Sequence, residues 1–209
     1  MAARSFVLWL HGLGESGPAN ESIKTLFRSP KFRNTKWSFP SAPENPVTCN
    51  YGIRMPSWFE IHEIPVTAWP QRQFPGFGVN LCPDSALTLA SVLLYPKKLG
   101  RGAVFSGRVP FNSSMIKKFP EDAKKTPILW SHGMADRTVL FEAGQAGPPF
   151  LEQAGVTCEF KIYMPFFSDF LVLFVWHLLI CRNSYAVTGL SWSWPFNKQR
   201  RAAVPRIMD

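Results

Sequence analysis

The stretch VLWLHGLGESGPAN, residues 7–20, decides how this chain is expected to fold. It opens inside a continuous apolar run, residues 6–10, which ends at a glycine-rich loop. Such a run closed by glycine is typical of a central parallel strand that is covered on both faces. Because the run is too short for the apolar core of a secretory signal and lacks a cleavage site, it is predicted to be a buried strand.

Strand and helix patterns alternate after this first strand. Strands are predicted at residues 36–39, 102–107, 127–131 and 157–163, and helices at residues 20–27, 86–95 and 141–154. Residues 40–58 are rich in Pro, Asn and Ser, so a long loop is predicted there. The alternation predicts an α/β fold with a mainly parallel sheet and helices on both faces.

Composition narrows the class of protein. The chain has 209 residues, 46% of them hydrophobic, which suits one globular domain. The formal net charge is +9, but Lys and Arg are scattered, so the charge is interpreted as solvated surface and no nucleic-acid partner is predicted. The four cysteines stand far apart, which indicates neither a zinc site nor a disulfide framework. A reducing, cytoplasmic location is expected.

Two stretches depart from the α/β pattern. Residues 69–85 have no clear period and are treated as a shortened, divergent segment within a domain that spans residues 1–165. Residues 166–209 form a tail, apolar and then basic, that is expected to be irregular or helical. The apolar block, residues 166–181, is too short for a spanning helix, which needs about 20 apolar residues. Contact of this block with a membrane surface is kept as an alternative.

Six segments in series carry a family resemblance. They are residues 7–20, 36–52, 55–64, 86–96, 102–112 and 127–139. Each is similar to the corresponding stretch of plant members of the phospholipase/carboxylesterase family, of the acyl-protein thioesterase type. The resemblance covers roughly residues 5–68 and 86–163, and the segments occur in the family's order.

The resemblance implies an incomplete α/β-hydrolase fold. It also implies a serine hydrolase that cleaves carboxylic esters or acyl-protein thioesters without a metal or organic cofactor. Its partners would be acylated proteins or small esters. Asp136, in the pattern His132-Gly133-x-x-Asp136, matches the acid of a Ser-His-Asp triad. The backbone N–H of Leu13 matches the first oxyanion donor. Trp58 lies in the family's Ser-Trp-Phe block and is either a wall of the acyl site or plain core.

The nucleophile of the family is not matched. Counted back from Ala86, the serine position is occupied by Cys82, and the following Pro83 has no N–H to serve as second oxyanion donor. Ser85 is the weak alternative nucleophile, and its other interpretation is a helix N-cap. Only seventeen residues separate Ala68 from Ala86, so the strand that leads to the nucleophile is expected to be missing from the sheet.

The catalytic histidine of the family is not matched either. Ser168 stands at the nearest corresponding position, and His177, the only histidine after Asp136, lies in an apolar run. Impaired activity is therefore expected. The alternatives are an active hydrolase, a catalytically inactive member or defective gene model with a frame-shifted tail, and a membrane-associated protein that uses residues 166–181.

Overall fold

The computed structural model describes residues 5–67, 83–163 and 186–190 of the chain. The strands in these ranges are β1 (Ser5–Leu10), β2 (Thr35–Ser38), β3 (Glu44–Val47), β4 (Ile53–Pro56), β5 (Arg101–Phe105), β6 (Ile128–Gly133), β7 (Cys158–Tyr163) and β8 (Ala186–Leu190). Six of them form one parallel sheet in the order β2-β1-β8-β5-β6-β7, and β3 pairs with β4 as an antiparallel hairpin. The predicted α/β fold with a mainly parallel sheet is confirmed.

The helices that join these strands are short, apart from one. They are α1 (Gly17–Asn20), α2 (Pro83–Leu93), α3 (Glu121–Lys124), α4 (Phe141–Gln145) and α5 (Gly147–Gln153), with 3₁₀ turns at Glu21–Leu26, Pro30–Phe32, Thr48–Asn50 and Ser113–Lys118. The helix predicted at residues 141–154 is divided in two, because Pro148 starts a new helix at its first turn, where a missing N–H costs nothing.

The core lies on both faces of the sheet. Along β6, Ile128 and Trp130 pack into one buried cluster, whereas the intervening Leu129 packs into the other. Successive side chains of a strand point to opposite faces, so this alternation requires a cover on each side. Residues of α2 and α5 cover the first face, and aromatic residues between Ile23 and Phe39 cover the second.

Helix α2 runs antiparallel to β5. Val92, near the end of the helix, lies over Gly102, near the start of β5, so closely that a Cβ on this glycine would meet the valine at 3.0 Å. The first turn of α2 therefore lies toward the carboxyl edge of the sheet, where the parallel strands end. This direction also explains why a short connection suffices between α2 and β5.

Three expectations about local structure are wrong. Residues 40–58 are not a plain loop, because the β3–β4 hairpin occupies most of that stretch. The sheet does not lose a central member, because β8 pairs with both β1 and β5, although among the described residues no strand leads into α2. The tail is not entirely irregular or helical, since β8 comes from it. The rest of the tail, residues 166–185 and 191–209, lies outside the described residues.

Candidate active site

The candidate residues gather at the carboxyl edge of the sheet. Because the six strands are parallel, the loops after β1, β5 and β6 all leave the sheet at this edge. They carry Leu13, Ser106 and Asp136, respectively. β1 and β6 are separated by β8 and β5, which places them about 14 Å apart at the usual strand spacing. The structure thus brings Leu13 and Asp136 to one edge without direct contact.

The loop after β1 is fixed by its backbone. Gly14 adopts a positive φ of 75°, a conformation that favours glycine, and its N–H donates to the carbonyl oxygen of Pro56 at 2.9 Å. The N–H of Glu15 donates back to Gly12 O at 3.2 Å. Within the described residues, the N–H of Leu13 between them donates to no acceptor. The role of this N–H as an oxyanion donor stays a prediction.

His11 is a structural residue of this loop. Its ring is fully buried, and Nε2 accepts the N–H of Ala42 at 2.9 Å, so the proton resides on Nδ1, which donates to Gly12 O at 2.7 Å. The ring packs against Trp58 with centroids 5.1 Å apart, and the Trp58 indole N–H donates to His11 O at 3.0 Å. Both ring nitrogens are occupied, which leaves His11 no role as a base. An acyl-site wall at Trp58 stays a prediction.

Asp136 organises the loop after β6. Its Oδ1 accepts two backbone N–H groups, from Thr138 at 2.8 Å and from Val139 at 3.0 Å. Its side chain is only 7% exposed, and Oδ2 lies 3.9 Å from Nε2 of His132. One oxygen is thus used in the turn, and the other is too far from the imidazole for a hydrogen bond.

His132 is buried behind this loop. Its Nε2–H donates to Val139 O at 2.9 Å, and its Nδ1 has no partner among the described residues. Desolvation by burial lowers the pKa of His132 below its ordinary value, while the Val139 carbonyl and the carboxylates of Asp136 and Glu142 oppose the shift. The ring is therefore held neutral. Since none of its surface is exposed, it cannot reach an ester bound at the sheet edge.

Of the two candidate nucleophiles, Ser85 lies within the described residues and Cys82 does not. The predicted helix N-cap, Asp84 or Ser85, is wrong, because α2 begins at Pro83 and both residues lie inside its first turn. Proline at the first position of a helix is favoured, because its missing N–H would have no partner there. The backbone of Ser85 lies in the first turn, toward the carboxyl edge. Cys82, Ser168 and His177 lie outside the described residues.

Sequence reasoning missed two features of this edge. Ser106, directly after β5, has a positive φ of 48° and is only 8% exposed, and its N–H donates to Ser131 O at 2.9 Å. A non-glycine residue in this region is strained and marks a site worth testing. The second feature is the strand β8. The adjacent β-branched residues Val187 and Thr188 favour a strand and could have indicated it. The sequence continues Gly189-Leu190-Ser191, a Gly-x-Ser pattern whose serine lies outside the described residues.

The described ranges contain neither a metal-binding cluster nor a membrane-spanning helix. Residues 5–67, 83–163 and 186–190 contain no group of three or more His, Cys, Asp or Glu side chains that could hold a metal ion. No helix in the same ranges is long and apolar enough to cross a membrane. The apolar block at residues 166–181 is not part of these ranges.

Known proteins resemble this chain in both sequence and structure. "Probable carboxylesterase SOBER1-like" from Arabidopsis thaliana is 62% identical over 186 residues, which cover 77% of this chain and 71% of that protein. A "Probable inactive carboxylesterase" from Oryza sativa subsp. japonica is 43% identical, covering 76% of this chain and 75% of that protein. The crystal structure of Arabidopsis SOBER1 superposes with a TM-score of 0.72 at 52% identity, covering 82% of this chain and 95% of SOBER1.

The family itself is matched over most of the chain. The model of the phospholipase/carboxylesterase family matches residues 1–74 and 84–166. Acyl-protein thioesterases of fungi are more distant relatives, at 29% identity. The predicted resemblance is confirmed, and the α/β-hydrolase fold expected from it agrees with the SOBER1 superposition. This chain therefore belongs to the phospholipase/carboxylesterase family.

Proposed function

We propose that this chain is a carboxylic ester and acyl-thioester hydrolase by descent whose own turnover is strongly reduced. One observation carries the proposal: in the described residues, the triad candidate Asp136 has no imidazole within hydrogen-bonding distance. His132 comes nearest at 3.9 Å, and its Nε2 is already bound to the Val139 carbonyl. Without a histidine between acid and nucleophile, a serine cannot be deprotonated efficiently.

The retained groups still suit the binding of an acyl carbonyl. The N–H of Leu13, which donates to no acceptor within the described ranges, can donate to the carbonyl oxygen, and it would donate more strongly to the oxyanion that forms on attack. The catalytic groups without a match in this chain, the general base and the second oxyanion donor, have the larger effect on the rate. A general base typically contributes about 10²–10⁴-fold in rate, and a second oxyanion donor about 10²–10³-fold. Turnover by this chain is therefore expected to be orders of magnitude below that of an intact relative.

The substrate class follows from the family. Acylated proteins and small carboxylic esters are the proposed substrates, because both present an acyl carbonyl to the same donor. Cytoplasmic proteins would then be the source of the acyl groups. The chain length of the acyl group is left to measurement.

A catalytically inactive member is the second candidate. The relative from Oryza sativa that is named a probable inactive carboxylesterase supports it, since it shares 43% of aligned residues with this chain. An inactive member could still bind an acylated ligand at the Leu13 loop. Binding of an acylated ligand with no measurable turnover would support the inactive member, whereas slow turnover would support the hydrolase with reduced activity.

The test is covalent labelling with a fluorophosphonate probe, together with hydrolysis of a p-nitrophenyl ester. Arabidopsis SOBER1 serves as the positive control for both assays. The proposal expects labelling and turnover at least a hundredfold below the control, in line with the lost base. Labelling and turnover comparable to SOBER1 would overturn it.

Three single substitutions assign any residual labelling. Ser85→Ala and Ser191→Ala remove the two serines named above, and Ser91→Ala, on the same helix as Ser85, is the matched control. Loss of labelling in one of the first two variants, with Ser91→Ala unchanged, identifies the reactive serine. Labelling that survives in all three supports a nucleophile elsewhere in the chain.

Membrane association is the third alternative, because residues 166–181 are apolar and basic residues follow them. Sedimentation with anionic lipid vesicles tests it. A chain that pellets with the vesicles, while a variant carrying Leu173→Asp and Leu178→Asp does not, would support a membrane-surface role for this block.

A further inference from the structure

The C-terminal tail provides a central strand of the sheet. β8 pairs with β5 along five residues, from Arg101 opposite Ala186 to Phe105 opposite Leu190. On its other side, β8 pairs with β1 along three residues. Among the described residues, β1 and β5 do not pair with each other, so β8 alone joins the pair β2–β1 to the trio β5–β6–β7 within the sheet.

This strand comes from outside the matched family sequence. The family match ends at residue 166, and twenty-two residues, 164–185, separate β7 from β8. Among the described residues, β8 is also the last strand in sequence, although it occupies the middle of the sheet. Its two neighbours come from much earlier in the chain, β1 from residues 5–10 and β5 from residues 101–105. β8 therefore lies in the gap between β1 and β5, which is called the slot, and both of these strands belong to the part of the chain that matches the family.

The slot requires an occupant. The N–H and C=O groups of β1 and β5 that face each other across it lie in the interior of the six-stranded sheet, and α2 packs against β5 and β8. Backbone groups in such a place need hydrogen-bond partners, because water does not reach them. A parallel strand satisfies them on both sides at once. Val187 and Thr188 are β-branched, a residue type that favours strands.

We propose that residues 186–190 are a strand-donor segment, which the sheet holds through backbone hydrogen bonds independently of its covalent connection to β7. This is recognition by strand addition, in which main-chain bonds provide the affinity. The slot between β1 and β5 is then a binding site for a parallel strand, and its natural occupant is the chain's own tail. The inference does not depend on whether the protein hydrolyses esters.

The test cuts the connection after folding. A site for a specific protease is inserted between Asn183 and Ser184 of the full chain, the folded protein is cleaved, and the products are separated by gel filtration. The C-terminal fragment, residues 184–209, is expected to elute with the body. A fragment that separates from the body under native conditions overturns the proposal.

Two proline variants make the result specific. Thr188→Pro removes an N–H from the middle of β8, so the cut fragment is expected to dissociate at least tenfold faster. Ala203→Pro, outside the strand, is the matched control and is expected to keep the fragment bound. Equal retention of both proline fragments would also count against strand donation, since binding would then not use the β8 backbone.

Hydrogen exchange of the uncut, unsubstituted chain gives an independent readout. Amides of residues 186–190 are expected to exchange as slowly as those of β5, because both belong to the interior of the sheet. Exchange at residues 186–190 at the rate of a free chain, with β5 protected, would overturn the proposal even if Thr188→Pro failed to fold.

Discussion

Oδ2 of Asp136 lies 3.9 Å from Nε2 of His132, in a geometry that couples the two groups electrostatically but not as members of a catalytic relay. The carboxylate raises the pKa of the imidazole, yet burial lowers it more. The Nε2 proton is directed at the Val139 carbonyl, and Oδ1 of Asp136 holds the same turn through two N–H groups. Acid and imidazole thus stabilise one turn from two sides.

Truncation of Asp136 is expected to destabilise the fold rather than only change chemistry. Asp136→Ala leaves the N–H groups of Thr138 and Val139 without their acceptor and should cost about 2–3 kcal/mol of unfolding free energy. Asp136→Asn keeps an acceptor oxygen and should cost less than about 1 kcal/mol. Urea unfolding followed by tryptophan fluorescence measures both. Equal losses in the two variants would show that the turn does not depend on these hydrogen bonds.

The buried imidazole of His132 makes stability depend on pH. Its folded-state pKa lies below the ordinary value of 6.5, so the unfolded chain binds the extra proton first as the pH falls. The stability that neutral His132 contributes is present above pH 6.5 and is lost as the pH falls below it. Urea midpoints at pH 7.5 and 5.5 measure this loss.

Two histidine variants assign the pH effect. His132→Gln retains a donor for the Val139 carbonyl but no titrating group, so its midpoint should change less between pH 7.5 and 5.5 than that of the unsubstituted chain. His62→Gln is the matched control, because the His62 side chain is 48% exposed. If His132→Gln retained the full pH dependence, other groups would be responsible.

Much of the framework was predictable because it depends on local pattern. The buried strand before His11 and the strand before Asp136 follow from continuous apolar runs closed by His-Gly. The helix before Pro96 was predicted from its apolar spacing, with an error of two or three residues at each end. Asp136 and Leu13 were located through motifs that include the glycines of their loops.

The position of β8 was not predictable from local pattern. Its five residues carry a weak strand signal, and nothing in their sequence indicates pairing with strands at residues 5–10 and 101–105. Pairing over such distances is decided by which backbone groups remain without partners in the rest of the sheet. The hairpin at residues 44–56 was missed for a different reason. Its strands contain Pro46 and Pro56, and proline is unfavourable in strands away from an edge.

Gly144 allows α4 to pack against the imidazole of His132. A Cβ at this position would lie 2.1 Å from Nδ1 of the ring, well inside van der Waals contact. Gly144→Ala would gain about 1 kcal/mol in helix propensity, but the clash should cost about 3 kcal/mol. A net loss is expected in urea unfolding. Gly133→Ala, where a Cβ meets nothing within 4 Å, is the control and should be close to neutral.

Asn20 connects β1 to the loop that follows it. Its Oδ1 accepts the Trp9 indole N–H at 3.1 Å, and its Nδ2 donates to Glu15 Oε2 at 2.9 Å. Asn20→Asp replaces that donor with a second carboxylate, which should cost about 2–3 kcal/mol. The double variant Asn20→Asp with Glu15→Gln restores a donor across the pair and should recover part of the loss. A double variant as unstable as the single one would contradict this account of the contact.

Cys158 at the start of β7 should be unreactive in the folded chain. Burial, with a smaller contribution from Glu159, raises the pKa of its thiol from 9.0 to about 12. Because the thiolate is the reactive form, alkylation by iodoacetamide at pH 8 should be about 10³-fold slower than in urea. Peptide mass spectrometry after a timed pulse separates Cys158 from Cys49, whose pKa burial also raises. Equal rates for Cys158 with and without urea would mean that β7 does not shield this thiol.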